Sequence, residues 1–175
     1  MLELKKVNET DDEIVFCDAR LKANPNGELS WQLYDKAEDM GSMASKLNRY
    51  NHAHTTLASS IHKATFRNEL SRFYTLSKTP QHFLHSAGVM ICRHIILKHT
   101  PPSLKEWCEN FRPPRYIYQR WQPDETTERQ LKKMVKKIDT YIRERHKNTL
   151  TGSRSDEILA ITDEAMHHAL KITAC

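Results

Sequence analysis

Apolar positions recur at spacings of three and four along most of this 175-residue chain, a pattern that predicts a mostly α-helical fold. The strongest segment is Gln81–His99. Phe83, Leu84, Ala87, Val89, Met90, Ile91, Ile95, Ile96 and Leu97 leave few polar faces, so this helix belongs at the centre of a bundle. A preceding piece carries Phe66, Leu70, Phe73 and Tyr74 and ends before Lys78-Thr79-Pro80. Between Leu29 and Thr65 there is no proline. Within that span Met40, Met43, Leu47, Tyr50, His54, Leu57, Ile61 and Ala64 form a seam of period 3.5, as in an antiparallel helix pair or a dimer interface. Thr100-Pro101-Pro102-Ser103 stops the central helix, and Ser103 is placed to cap a short helix holding Leu104, Trp107, Cys108 and Phe111. Beyond an extended connector over 112–123, Asp124 to Glu128 opens a helix whose buried stripe is Leu131, Val135, Ile138 and Ile142, with Met134 and Tyr141 at its margins. Ser155-Asp156-Glu157 opens a last helix with Ile158, Leu159, Thr162, Ala165, Met166 and Ala169 on one side.

The N-terminal part is ambiguous. Thr10-Asp11-Asp12-Glu13 fits a capping box ahead of a short helix, but Glu13–Leu21 and Glu28–Tyr34 also read as strands of a hairpin around Asn24-Pro25-Asn26-Gly27. The expectation is therefore a single-domain helical bundle of about six helices, with helix and hairpin both open over 13–34. Its parts are an acidic segment 1–39, a helical core 40–111, the connector 112–123, a basic helix 124–147 and a C-terminal helix 148–175.

Charge changes this picture from a generic bundle to one with a preferred partner. The net charge is +5, but residues 40–147 carry 20 Lys and Arg against 8 Asp and Glu, while the two ends carry 7 against 14. A basic body with acidic ends suits a polyanion. The basic residues are interleaved with aromatics where the connector enters the helix. Arg112, Arg115, Tyr116, Tyr118, Arg120 and Trp121 form the connector set, and Arg129, Lys132, Lys133, Lys136 and Lys137 line the helix. Guanidinium and ammonium groups neutralise phosphates, and Tyr and Trp rings offer faces for unpaired bases. The expected function is non-catalytic binding of DNA or RNA, as in an accessory or loading factor of DNA replication or of a mobile element. A helical protein–protein adaptor or inhibitor is the alternative, with docking or self-association through the Met40–Ala64 helix.

Candidate chemistry is sparse. Arg93-His94-Ile95-Ile96-Leu97-Lys98-His99 resembles the Arg-x4–6-His motif of the all-α HEPN ribonucleases, and Arg49-Tyr50-Asn51-His52-Ala53-His54 fits it too. The resemblance implies RNA cleavage, with Arg93 stabilising phosphate charge and His99 acting in acid–base transfer. Of the ten histidines, His52 and His54 lie about 200° apart on a helix, and His167 and His168 diverge. His82 and His85 share a face but have no carboxylate or thiol nearby in sequence. Solvated or core-edge histidines are expected, with no metal and no cofactor. Cys17, Cys92, Cys108 and Cys175 make no Cys-x-x-Cys pair, and the chain has neither a glycine-rich phosphate loop nor a Gly-x-Ser-x-Gly elbow. The first residues lack the apolar centre of a signal peptide, and no run approaches the roughly 18 apolar residues of a membrane span, so no membrane partner is expected and the cytoplasm is the expected compartment.

Overall fold

The structure is a computed structural model that describes residues 12–16, 19–34, 50–113, 121–145 and 164–165. Three strands, β1 (Glu13–Phe16), β2 (Ala19–Ala23) and β3 (Leu29–Leu33), form an antiparallel sheet in the order β1-β2-β3. The single strand expected over Glu13–Leu21 is two, β1 and β2, paired antiparallel; the hairpin around Asn24–Gly27 is found, and the helix reading is corrected. The turn at Asn24–Gly27 supplies the reason. Gly27 has φ +80, a left-handed conformation that glycine adopts without a Cβ clash, and its amide donates to the Asn24 carbonyl at 2.9 Å. The Asn26 side chain accepts from the Glu28 amide at 3.1 Å, so the turn closes on its own hydrogen bonds and pairs Ala23 with Leu29.

Four helices stand among the described residues, rather than the six expected for the whole chain: α1 (Ser59–Leu76), α2 (Pro80–Ile96), α3 (Pro101–Cys108) and α4 (Glu125–Arg145). The helical seam expected over Met40–Ala64 is corrected as well. Residues 50–58 are turns, and helix begins only at Ser59. Met40, Met43 and Leu47 lie outside the described residues. Tyr50 is buried but not helical, while Leu57 and Ile61 face solvent. The stripe that reaches the core is instead His62, Phe66, Leu70 and Phe73, one register away. A surface of period 3.5 over Met40–Ala64 is thus interrupted at 50–58, and Ile61 and Ala64, though helical, are exposed.

α2 is central, with Phe83, Ala87 and Ile91 fully buried between α1 and α4. Thr79 caps it by accepting from the His82 amide at 3.2 Å, with Pro80 in the first turn. α3 is capped by Thr100, whose hydroxyl accepts from the Ser103 amide at 3.4 Å. Ser103 is therefore not the cap. Pro101 and Pro102 have no amide hydrogen to leave unsatisfied in a first turn, so they begin α3 instead of merely ending α2. Cys92 and Cys108 are buried, and burial pushes the Cys108 thiol up to about 12.

α4 closes the bundle with Leu131, Met134, Val135, Ile138 and Ile142 buried, so Met134 belongs to the core rather than its margin. Asp124 and Thr127 cap its start reciprocally. The Asp124 carboxylate accepts from the Thr127 amide at 2.8 Å, and the Thr127 hydroxyl accepts from the Asp124 amide at 3.3 Å. That backbone hydrogen bond holds the Asp124 carboxyl below the usual carboxylate range. Asp124→Ala is expected to fray this first turn, seen as lost hydrogen-exchange protection at the Thr127 amide with Val135 unaffected. Of the helix expected over 148–175, only Glu164 and Ala165 are among the described residues. Ala165 is buried, and the Glu164 carboxylate accepts from the Tyr141 hydroxyl at 2.8 Å.

Candidate nucleic-acid interface

The side of α4 opposite its buried stripe carries the basic residues. At 100° per residue, Arg129, Lys133 and Lys136 fall within about 60° of one another, and all three are exposed. Arg129 and Lys136 are separated by about 10 Å of helical rise, a span of the order of one to two phosphate steps along a nucleic-acid strand. Lys137 is half-buried beside them. Arg143 lies further along the same side and is paired with Asp139 at 2.9 Å.

Lys132 differs from its neighbours. Its ammonium sits 3.0 Å from both Glu128 and Glu109, which raises its pKa and joins α4 to the end of α3. Glu128 is the centre of that junction. It takes the Lys132 hydrogen bond and the Asn110 amide at 3.0 Å and lies 3.6 Å from Arg112; together these hold its carboxyl below the usual range. Arg112, Glu125, Glu128, Arg129 and Lys132 line a polar depression of about 340 Å³ that opens beside the basic face. Arg112 and Lys132 thus stand at its edge with part of their charge already neutralised.

Trp121 belongs to the bundle end. Its indole nitrogen donates to the Ser77 carbonyl at 3.2 Å, and its ring meets Tyr74 edge-on at 5.2 Å and Phe83 at 5.4 Å. The Tyr74 hydroxyl donates back to the Trp121 carbonyl. One side of the ring is thereby committed to packing. Arg115, Tyr116, Tyr118 and Arg120 lie outside the described residues.

The two residues of the ribonuclease-like motif have different surroundings. Arg93 lines a small cavity of about 60 Å³ with Tyr34, Tyr50, Arg72 and His85, and His99 has no part in it. His99 is buried against Trp107 at 5.4 Å and donates from Nε2 to the Asn51 carbonyl at 2.9 Å. Arg49 of the second match is outside the described residues. His82 and His85 are exposed, and among the described residues no group of three His, Cys, Asp or Glu side chains is placed to hold a metal ion.

Sequence reasoning missed the meeting of His62, His94 and His99. Its signal was present in outline: His62 stands four residues before Phe66 on the α1 stripe, and His94 follows Met90 on the apolar body of α2. No helix of the described residues is long and apolar enough to cross a membrane. No protein-family model, curated protein or solved structure matches the chain. Function rests on the chemistry of these surfaces.

Proposed function

We propose that the protein binds nucleic acid without catalysing a reaction on it, through phosphate contacts from the outer face of α4. The observation that carries this reading is the exposure of Arg129, Lys133 and Lys136 on one arc of a helix whose opposite stripe is sealed in the core. That anchoring presents the cations in a fixed row, which lowers the ordering cost of meeting a phosphate backbone. Arg112, Lys132 and Lys137 flank the row, and by residue chemistry alone Arg115 and Arg120 would add phosphate contacts and Tyr116, Tyr118 and Trp121 would stack on unpaired bases. The role proposed for such a binder is that of an accessory or loading factor in replication or in a mobile element, a job that needs contact without chemistry.

Fluorescence-anisotropy titration with labelled single- and double-stranded DNA and RNA tests the reading. Binding is expected to weaken with salt, with a slope of log K against log[salt] of roughly −3 to −4 on duplex DNA if about four phosphates are neutralised. No binding at low salt to any of the four probes overturns it and leaves the lysines as hydrated surface.

A further inference from the structure

Three histidines from separate parts of the chain meet inside the bundle. The ring centroids of His94 and His99 are 5.0 Å apart, and His62 on α1 lies 5.0 Å from His99. Tyr50, Phe66 and Trp107 close around them, with Tyr50 at 4.5 Å from His94. Each ring has one polar partner. His94 donates from Nδ1 to the Met90 carbonyl at 2.9 Å, His99 donates from Nε2 to the Asn51 carbonyl at 2.9 Å, and His62 Nε2 lies 3.3 Å from the Thr55 hydroxyl. One N–H per ring is what a neutral imidazole has to offer, and for His94 and His99 a carbonyl takes it.

Two of those three partners, Asn51 and Thr55, belong to the turns at 51–58 that lead into α1. The Ala53 amide of the same segment donates to the Leu97 carbonyl at 2.9 Å. Most of the segment is otherwise exposed. It is thus clasped to the end of α2 and the start of α1 by a few bonds, most of them made by histidine. His99 reaches the cluster because Lys98 adopts φ 69, a left-handed conformation unusual for a residue with a side chain, and the His99 amide returns to the His94 carbonyl at 3.0 Å.

We propose that this cluster is an acid-operated latch: neutral rings hold segment 51–58 against the bundle, and protonation releases it ahead of the helices. Two imidazolium rings at this separation, walled by aromatic side chains, repel strongly, and no carboxylate among the described residues hydrogen-bonds to any of the three. The other titratable groups facing His99 add to the repulsion: His62 from α1, and His52 and His54 from the segment itself. The nearby charges of α1 and α3 are engaged elsewhere, with Lys63 on Glu106 at 2.7 Å and Arg67 on the Trp107 and Glu109 carbonyls. Burial lowers both His94 and His99, so the closed form resists protons that the open form accepts. The helices are fastened by fully buried side chains such as Phe66 and Leu104, whereas the segment is not, and opening takes the weaker route.

Hydrogen exchange of the full chain, followed by NMR between pH 7.5 and pH 5.5 and corrected for intrinsic exchange rates, tests the latch. The Ala53 amide reports the segment, and the Val135 and Ile138 amides report the bundle. Ala53 is expected to be less protected than the α4 amides at every pH. Its opening should grow by up to about 10-fold across this range, the proton uptake of one histidine freed to its ordinary pKa. His99→Gln keeps a donor for Asn51 but takes no proton, so the pH response of Ala53 should shrink; His94→Phe provides the same reading if that variant fails to fold. Equal protection of Ala53 and the α4 amides overturns the latch, as does a pH-independent Ala53, or a response unchanged in both variants.

Discussion

Lys133→Glu combined with Lys136→Glu is expected to weaken binding to duplex DNA at low salt by roughly 100-fold, or about 2.7 kcal/mol. Each lysine neutralises a phosphate, and each glutamate replaces that attraction with repulsion. The salt slope should also become shallower by about two contacts. Both side chains are exposed on α4 opposite its buried stripe, so helical circular dichroism should not change. Lys132 is the wrong residue for this experiment despite its place in the row. Lys132→Glu would set a third carboxylate beside Glu109 and Glu128 and loosen the α3–α4 junction, confusing lost contact with lost structure. Wild-type affinity in the Lys133/Lys136 variant, measured by anisotropy, would remove α4 from the interface.

Acid should destabilise the whole fold, and His94 should account for much of the loss. Burial among Phe66, Tyr50 and Trp107 lowers its pKa from 6.5 to about 4. The Met90 carbonyl works in the opposite direction, and His99 and His62 add to the lowering. Above about pH 6.5 the ring is neutral in both folded and unfolded chains, and it contributes no pH dependence. As pH falls from 6.5 towards 4 the unfolded chain takes up a proton that the folded chain refuses, so stability is lost across that window and levels off below it. The separation of the two values corresponds to roughly 3 kcal/mol at the acid end. Urea denaturation at a series of pH values measures this directly. His94→Phe keeps an aromatic ring in the site and is expected to flatten the curve by a comparable amount, and an equally steep curve in that variant would assign the acid loss to other groups.

How legible each part was follows from how local its determinants are. α2 was visible because Phe83 through Ile96 is apolar on nearly every face, and α4 because its buried stripe and lysine row alternate cleanly. The seam through Met40–Ala64 misled because its three-and-four spacing ran across His52–Ala58, where the His54 amide is bonded to the His52 ring and no helix forms. The sheet was decided by a turn, Asn24–Gly27, rather than by the strands, since Ile14-Val15-Phe16 suits helix or strand alike. The lysine row was readable from periodicity alone. What distinguishes Lys132 from Lys133 was not, because Glu109 lies on the far side of the connector. The packing of Trp121 on Ser77 and the meeting of His62 with His99 depend likewise on contacts between distant segments.

Cys108 turns burial into a clock. A thiol pushed up to about 12 is almost wholly protonated near neutral pH, and its sulfur has no solvent access in the closed fold. Alkylating reagents meet a reactive thiolate only during the moments when α3 lifts from α4. The labelling rate of this one cysteine therefore counts bundle openings, without any engineered probe.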